Sequence, residues 1–230
     1  MASATDGFSQ FVNGDSPMAS EPCWDWRVLT VSSTQVVRVL GAIVLGLVAL
    51  NLMTRLALYG VDGNVSGGAQ EVAFRFDLDR ENTLASWYSS LALFSCAGLL
   101  ALIARIKFAQ RAAFAAHWAW LAAGFAAMSL DESAAIHEIS MVPLRRILDL
   151  HGFFYFAWVV PGACAVLAIA LAYLRFLAQL ERPTRKLVLT AAGTFVGGAL
   201  GLEALGGMLA ESQGFNSLSY ILISTLEETC

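Results

Sequence analysis

The sequence predicts an all-α protein, a polytopic membrane helical bundle with five full transmembrane helices and a partial sixth. Three observations carry that expectation: 57% of the 230 residues are hydrophobic, only 14% are charged, and the apolar residues gather into long runs. Soluble chains carry about 25% charged residues, so the shortfall means that much of the surface faces something other than water. The mean hydropathy of +0.64 agrees. The formal charge of -4 comes without a clustered basic patch. That excludes nucleic acid as a partner, because phosphate binding needs such a patch, and leaves membrane lipids as the first partner.

A helix needs about 20 mainly apolar residues, each rising about 1.5 Å, to cross a hydrocarbon layer roughly 30 Å thick. The qualifying runs extend from Val36 to Tyr59, Leu84 to Ala104, Ala113 to Glu138, Phe153 to Leu180 and Leu187 to Ala210. A sixth begins at Leu218, and the sequence stops at Cys230, which reads as a helix truncated within its span or ending inside the bilayer. Residues 1–34 form a polar arm without the basic and apolar regions of a signal peptide, and 35–230 form a single transmembrane domain. Trp24 and Trp26 suit headgroup depth.

Lysine and arginine bias sets orientation. Arg27, Arg38, Arg105, Lys107, Arg111, Arg175, Arg182, Arg185 and Lys186 fall on one side of the predicted topology. Arg55, Arg75, Arg80, Arg145 and Arg146 fall on the other. The richer side is read as the cytoplasm, which holds the N-terminus. The cysteines give no pairing pattern: Cys96 and Cys164 lie in apolar runs and Cys23 and Cys230 near the two ends.

Ionisable side chains are expensive inside a bilayer, so those placed there usually face the bundle interior and act. The third run ends in SLDESAAIHE, with Asp131, Glu132, His137 and Glu138. The fifth carries Glu203, the last helix Glu227 and Glu228, and His151 and Glu81 stand at the mouths of their spans. The topology brings all of these toward the outer side. On one continuous helix at about 100° per residue, Asp131 and Glu138 share a face, flanked by either His137 or Glu132. Ser129 and Ser133 then lie opposite, free to bond back to the preceding turn. A milder polar stripe through Asn82, Ser86 and Ser89 or Ser90 supplies supporting hydrogen bonds or close packing.

Two features shape the surroundings. Gly193, Gly197 and Gly201 form a small-residue face suited to a close helix neighbour, within the chain or in a homo- or hetero-oligomer. Pro161 is expected near mid-depth of the fourth span, as a kink.

Three functions suit this inventory. One is a metal site of Asp131, His137, Glu138, Glu203, Glu227 and His151, supported by Glu132, Glu81, Ser86 and Glu228. Zinc, iron or manganese all accept such mixed oxygen and nitrogen donors, for work on a lipid or other amphiphile at the outer leaflet. The second is proton or cation-coupled transport, with His117 the one histidine toward the inner side. The third is a structural or assembly subunit fixed by a buried polar network. The segments SLDESAAIHE, GALGLE and TLEE resemble those of a group of bacterial multi-pass inner-membrane proteins. That resemblance implies the location and the span count but no activity.

Overall fold

The computed structural model describes residues 32–59, 68, 74–80 and 82–230. The two interfacial tryptophans, nearly all of the polar arm and Glu81 therefore lie outside the described residues. Met1–Leu40 and Gly41–Cys230 form two compact units, and of the first only the start of one helix is described.

All regular structure among the described residues is helical. Helix α1 spans Ser33–Tyr59 and opens on a reciprocal cap, with Gln35 N donating to Ser32 Oγ at 3.2 Å and Ser32 N to Gln35 Oε1 at 3.0 Å. Helix α2, Leu84–Ala109, opens in the same way, with Ser86 N donating to Thr83 Oγ1 and Thr83 N to Ser86 Oγ. Cap formation is thus the role the structure gives Ser86. Helix α3, Ala115–Ala134, returns along α2 in the most extensive packing of the chain. Alanines make that closeness possible: Ala85, Ala97, Ala104, Ala115 and Ala122 are all buried. At the shared end Ser90 Oγ donates to the Ser129 carbonyl and Ser129 Oγ to the Ser90 carbonyl, both at 2.8 Å. Ser129 therefore ties two helices together, whereas Ser133 does bond back, to Leu130 O.

The third run is not one helix. Ala135 adopts the left-handed conformation at φ 50, ψ 40, closes α3 by donating to Asp131 O at 2.7 Å, and starts α4, Ile136–Leu148. Left-handed backbone costs an L-residue roughly 1–2 kcal/mol, so the surrounding contacts hold it there. The expected common face of Asp131 and Glu138 is lost with the continuous helix. A short 3₁₀ turn at Gly152–Phe154 precedes α5, Val159–Gln179. Pro161 thus falls in the first turn of α5, where its missing N–H would have no intrahelical partner, and not at a mid-span kink.

Helix α6, Arg182–Val196, passes through a π-helical segment at Gly197–Leu202 into α7, Glu203–Gln213. Helix α8, Leu218–Glu227, packs back on α7 and on the π segment. A Cβ built on Gly193, Gly197 or Gly201 meets nothing within 4 Å, so that stripe makes no close contact among the described residues. The close approaches are at Gly162, against Leu200 and Trp158, at Gly207, against Tyr155 and Phe156, and at Gly198, where a Cβ would lie 2.6 Å from Cys230 Cβ and 3.3 Å from Glu227 O.

Among the described residues, four helical stretches are long and apolar enough to cross a membrane: Ser33–Ala57, Leu84–Ala109, Val159–Gln179 and Arg182–Gln213. Their outward faces carry large apolar side chains such as Leu45, Leu99, Leu167 and Leu187. That inverts the soluble pattern, in which such residues are buried.

Candidate functional site

One polar assembly begins on α1. Asn51, four residues before Arg55, is fully buried, with Nδ2 donating to Thr225 Oγ1 of α8 at 2.9 Å and Oδ1 accepting from Leu78 N at 3.1 Å. Arg55 reaches the segment before α2, its Nε bonding Asp77 Oδ1 and its Nη2 bonding Asp79 Oδ2, each at 2.9 Å. Tyr220 of α8 donates its hydroxyl to Asp79 Oδ1 at 2.9 Å. Asp79 also lies within electrostatic reach of Glu227. Burial pushes the Asp79 carboxyl up from the usual carboxylate range, against the pull of Arg55 and Tyr220.

The centre is a carboxyl pair. Glu203, the first residue after the π segment, and Glu227, at the end of α8, come within hydrogen-bonding reach of one another. Trp158 donates Nε1–H to Glu203 Oε1 at 3.0 Å. The Trp158 ring also stands edge-on to His137, with centroids 5.3 Å apart. The left-handed turn at Ala135 folds His137 back onto Asp131, which accepts the His137 N–H at 2.8 Å and lies 2.9 Å from its Nδ1. Glu132 faces the same pair and reaches the Ser89 side chain on α2. Hydrogen bonds and a ring contact join His137, Trp158 and Glu203, and another set joins Asp79, Arg55 and Asp77; Glu132 and Glu227 link to them through electrostatic interactions with His137 and Asp79.

The proposed metal ligands are distributed over three places. Asp131 meets His137, Glu203 meets Glu227, and His151 meets Glu211, with Nδ1 2.7 Å from Oε1. Glu138 and Glu228 are exposed. Among the described residues, no three His, Cys, Asp or Glu side chains converge to hold a metal ion. His151 is largely exposed beside an open cavity of about 280 Å³ lined by Arg145, Arg146, Asp149, Tyr155 and Glu211. The Glu211 and Asp149 carboxylates raise the His151 pKa above its ordinary value.

Sequence reasoning missed Asn51, Asp77, Asp79, Trp158, Glu211, Tyr220 and Thr225, and counted Arg55 only among the positive charges of the outer side. One signal was present: Asn51 and Arg55 are four apart in an otherwise apolar helix, the spacing that aims two side chains to one face. His117, at the far end of α3 from Asp131, sits among Phe114, Tyr173 and Phe176 with its buried Nδ1 lacking a hydrogen-bond partner among the described residues.

A family model described as Domain of unknown function (DUF8692) matches residues 37–230. No curated protein and no solved structure matches the chain.

Proposed function

The chain belongs to the DUF8692 family, and we propose that it is a proton-coupled membrane transporter in which Glu203 and Glu227 form the proton-binding pair. One observation carries this reading: two carboxyl groups from different helices face each other, with an indole N–H as the neighbouring donor. Two facing carboxyls inside a bundle must share a proton or another cation to remain together, because like charges this close disfavour double ionisation. A proton is the smallest cation that meets the need. The π segment immediately before Glu203 adds support, since such segments frequently lie at functional sites and leave backbone groups able to rearrange.

The reading includes five crossing helices and a shorter sixth. The length of α3, 20 residues, and its packing along α2 support counting it as the third crossing helix. The location is a bacterial inner membrane with a cytoplasmic N-terminus, supported by the lysine and arginine bias. Asp131, His137 and Glu132 then lie on the outer side of the pair, and His117 toward the inner side.

A second reading, a divalent metal such as zinc, iron or manganese, is favoured by the Asp131–His137 contact. A carboxylate on one imidazole nitrogen is how metal-binding histidines are oriented.

Proton flux into sealed liposomes holding the purified full chain, followed by an internal pH-sensitive dye, tests the first reading. Flux under an imposed potential is expected, with Glu203→Gln and Glu227→Gln each lowering it at least tenfold. Tight vesicles without flux, or flux untouched by both substitutions, would overturn it. Elemental analysis of the same preparation tests the second reading: a stoichiometric metal lost in Asp131→Asn supports it, and its absence sinks it.

A further inference from the structure

Helix α4 is the most strongly amphipathic of the described helices. Ile136, Ile139, Pro143 and Ile147 recur at the spacing that places them on one stripe, and all four are exposed. Ile139 and Ile147 are 73% and 78% exposed, so nothing among the described residues covers the stripe. On the opposite flank, His137 faces Asp131 and Trp158, and Arg145 stacks over the Tyr155 ring at 4.3 Å. The flank of His137, Met141 and Arg145 is therefore turned to the protein, and the isoleucines are turned away. Arg146 lies at the edge of the stripe, exposed and on the rim of the cavity beside His151.

We infer that α4 is an interfacial helix that lies on the bilayer, its isoleucine stripe seated among acyl chains and Arg146 meeting a phospholipid phosphate. Three features select lipid as the occupant. Exposed apolar surface also precedes the stripe along the chain, since Leu130 of α3 is 64% exposed one turn before the break. The left-handed residue at Ala135 turns the chain out of the α3 direction at the end of that helix. An arginine beside an apolar stripe also has the charge that the phosphate layer attracts, and its stem can lie along the apolar boundary. A helix of 13 residues is about 20 Å long, too short to cross and of ordinary length for the interface. This inference stands whether or not the Glu203–Glu227 pair carries protons.

The experiment uses the full chain in phosphatidylcholine vesicles, with and without bromine near the headgroup end of the acyl chains. Tryptophan is introduced singly by Ile139→Trp on the stripe and by Glu138→Trp on the opposite flank, and the wild-type fluorescence is subtracted. The added signal of Ile139→Trp is expected to fall at least twofold in brominated vesicles, and that of Glu138→Trp to change little. In the Ile139→Trp background, Arg146→Glu should reduce that bromine quenching, because a carboxylate at phosphate depth lifts the helix. Quenching of Ile139→Trp by aqueous acrylamide in place of bromine would overturn the interfacial helix, as would shielding from both quenchers, which would signal a protein partner on the stripe. Bromine quenching unchanged by Arg146→Glu would remove the phosphate contact.

Discussion

Asn51 shows what one polar residue does in an apolar helix. Its amide is fully buried and serves two elements at once, through Thr225 on α8 and the Leu78 backbone before α2. Asn51→Leu would orphan the Leu78 N–H, whereas the Thr225 hydroxyl keeps its bond to Ile221 O. The expected loss is about 1–3 kcal/mol, the cost of one buried unsatisfied donor. Thr225→Val takes the acceptor from the buried Asn51 Nδ2 and should cost a similar amount, about 1–3 kcal/mol. Thermal unfolding in a fixed detergent measures both, and unchanged stability in either variant would contradict the assignment. At the exposed His151 the test is pH. Its pKa is raised in the fold by Glu211 and Asp149, so the contact contributes fully below the unfolded value of about 6.5 and is lost as pH rises through the folded one. Hydrogen exchange at the Gly152 amide, which donates to Glu211 Oε2, should therefore be slow at pH 6 and faster at pH 9, after correction for the intrinsic pH dependence of exchange. In Glu211→Gln that difference should shrink.

At the scale of elements, the site depends on two departures from regular helix. Ala135 folds His137 onto Asp131, and the π segment at Gly197–Leu202 sets the facing of Glu203. Neither is legible in the sequence. Alanine is the strongest helix former and gives no sign of a left-handed turn, so the run from Ala113 to Glu138 reads as one helix. The apolar runs and the acidic positions within them were legible, because hydropathy and the cost of buried charge act locally. The partners Trp158, Tyr220 and Arg55 were not, because each acts through contacts far along the chain. The glycines divide in the same way: regular spacing singled out Gly193, Gly197 and Gly201, whereas close packing falls on Gly198. Gly198→Ala should push the end of α8 away, destabilising the fold by about 1–3 kcal/mol as overpacking does and lowering Glu227-dependent flux. Gly193→Ala, open in the monomer, should be neutral or slightly stabilising, since alanine gains up to about 1 kcal/mol over glycine in a helix. A loss at Gly193 without one at Gly198 would assign the packing face to the regular stripe, as in an oligomer.

At the scale of the molecule, the question is whether the Asp131–His137 end and the Glu203–Glu227 pair act as one unit. Trp158 is the group that touches both, through its ring toward His137 and its N–H toward Glu203. Residues that share a hydrogen-bonded partner usually show coupling energies of about 0.5–3 kcal/mol, and distant independent residues add to within about 0.5 kcal/mol. A double-mutant cycle of His137→Gln and Glu203→Gln, read as unfolding free energy in detergent, should therefore give a coupling above about 0.5 kcal/mol in the native background. Repeating the cycle in Trp158→Phe keeps an aromatic ring beside His137 but removes the donor to Glu203. The coupling should then fall to the additive limit, because the contact between the two ends has been cut while each end keeps its own partner, Asp131 or Glu227. If the coupling survives in Trp158→Phe, the ends communicate through the packing of α7 and α8, and the indole only fills space. If it is absent from the native chain as well, the two ends are separate sites, and proton binding at Glu203 and Glu227 owes nothing to the histidine.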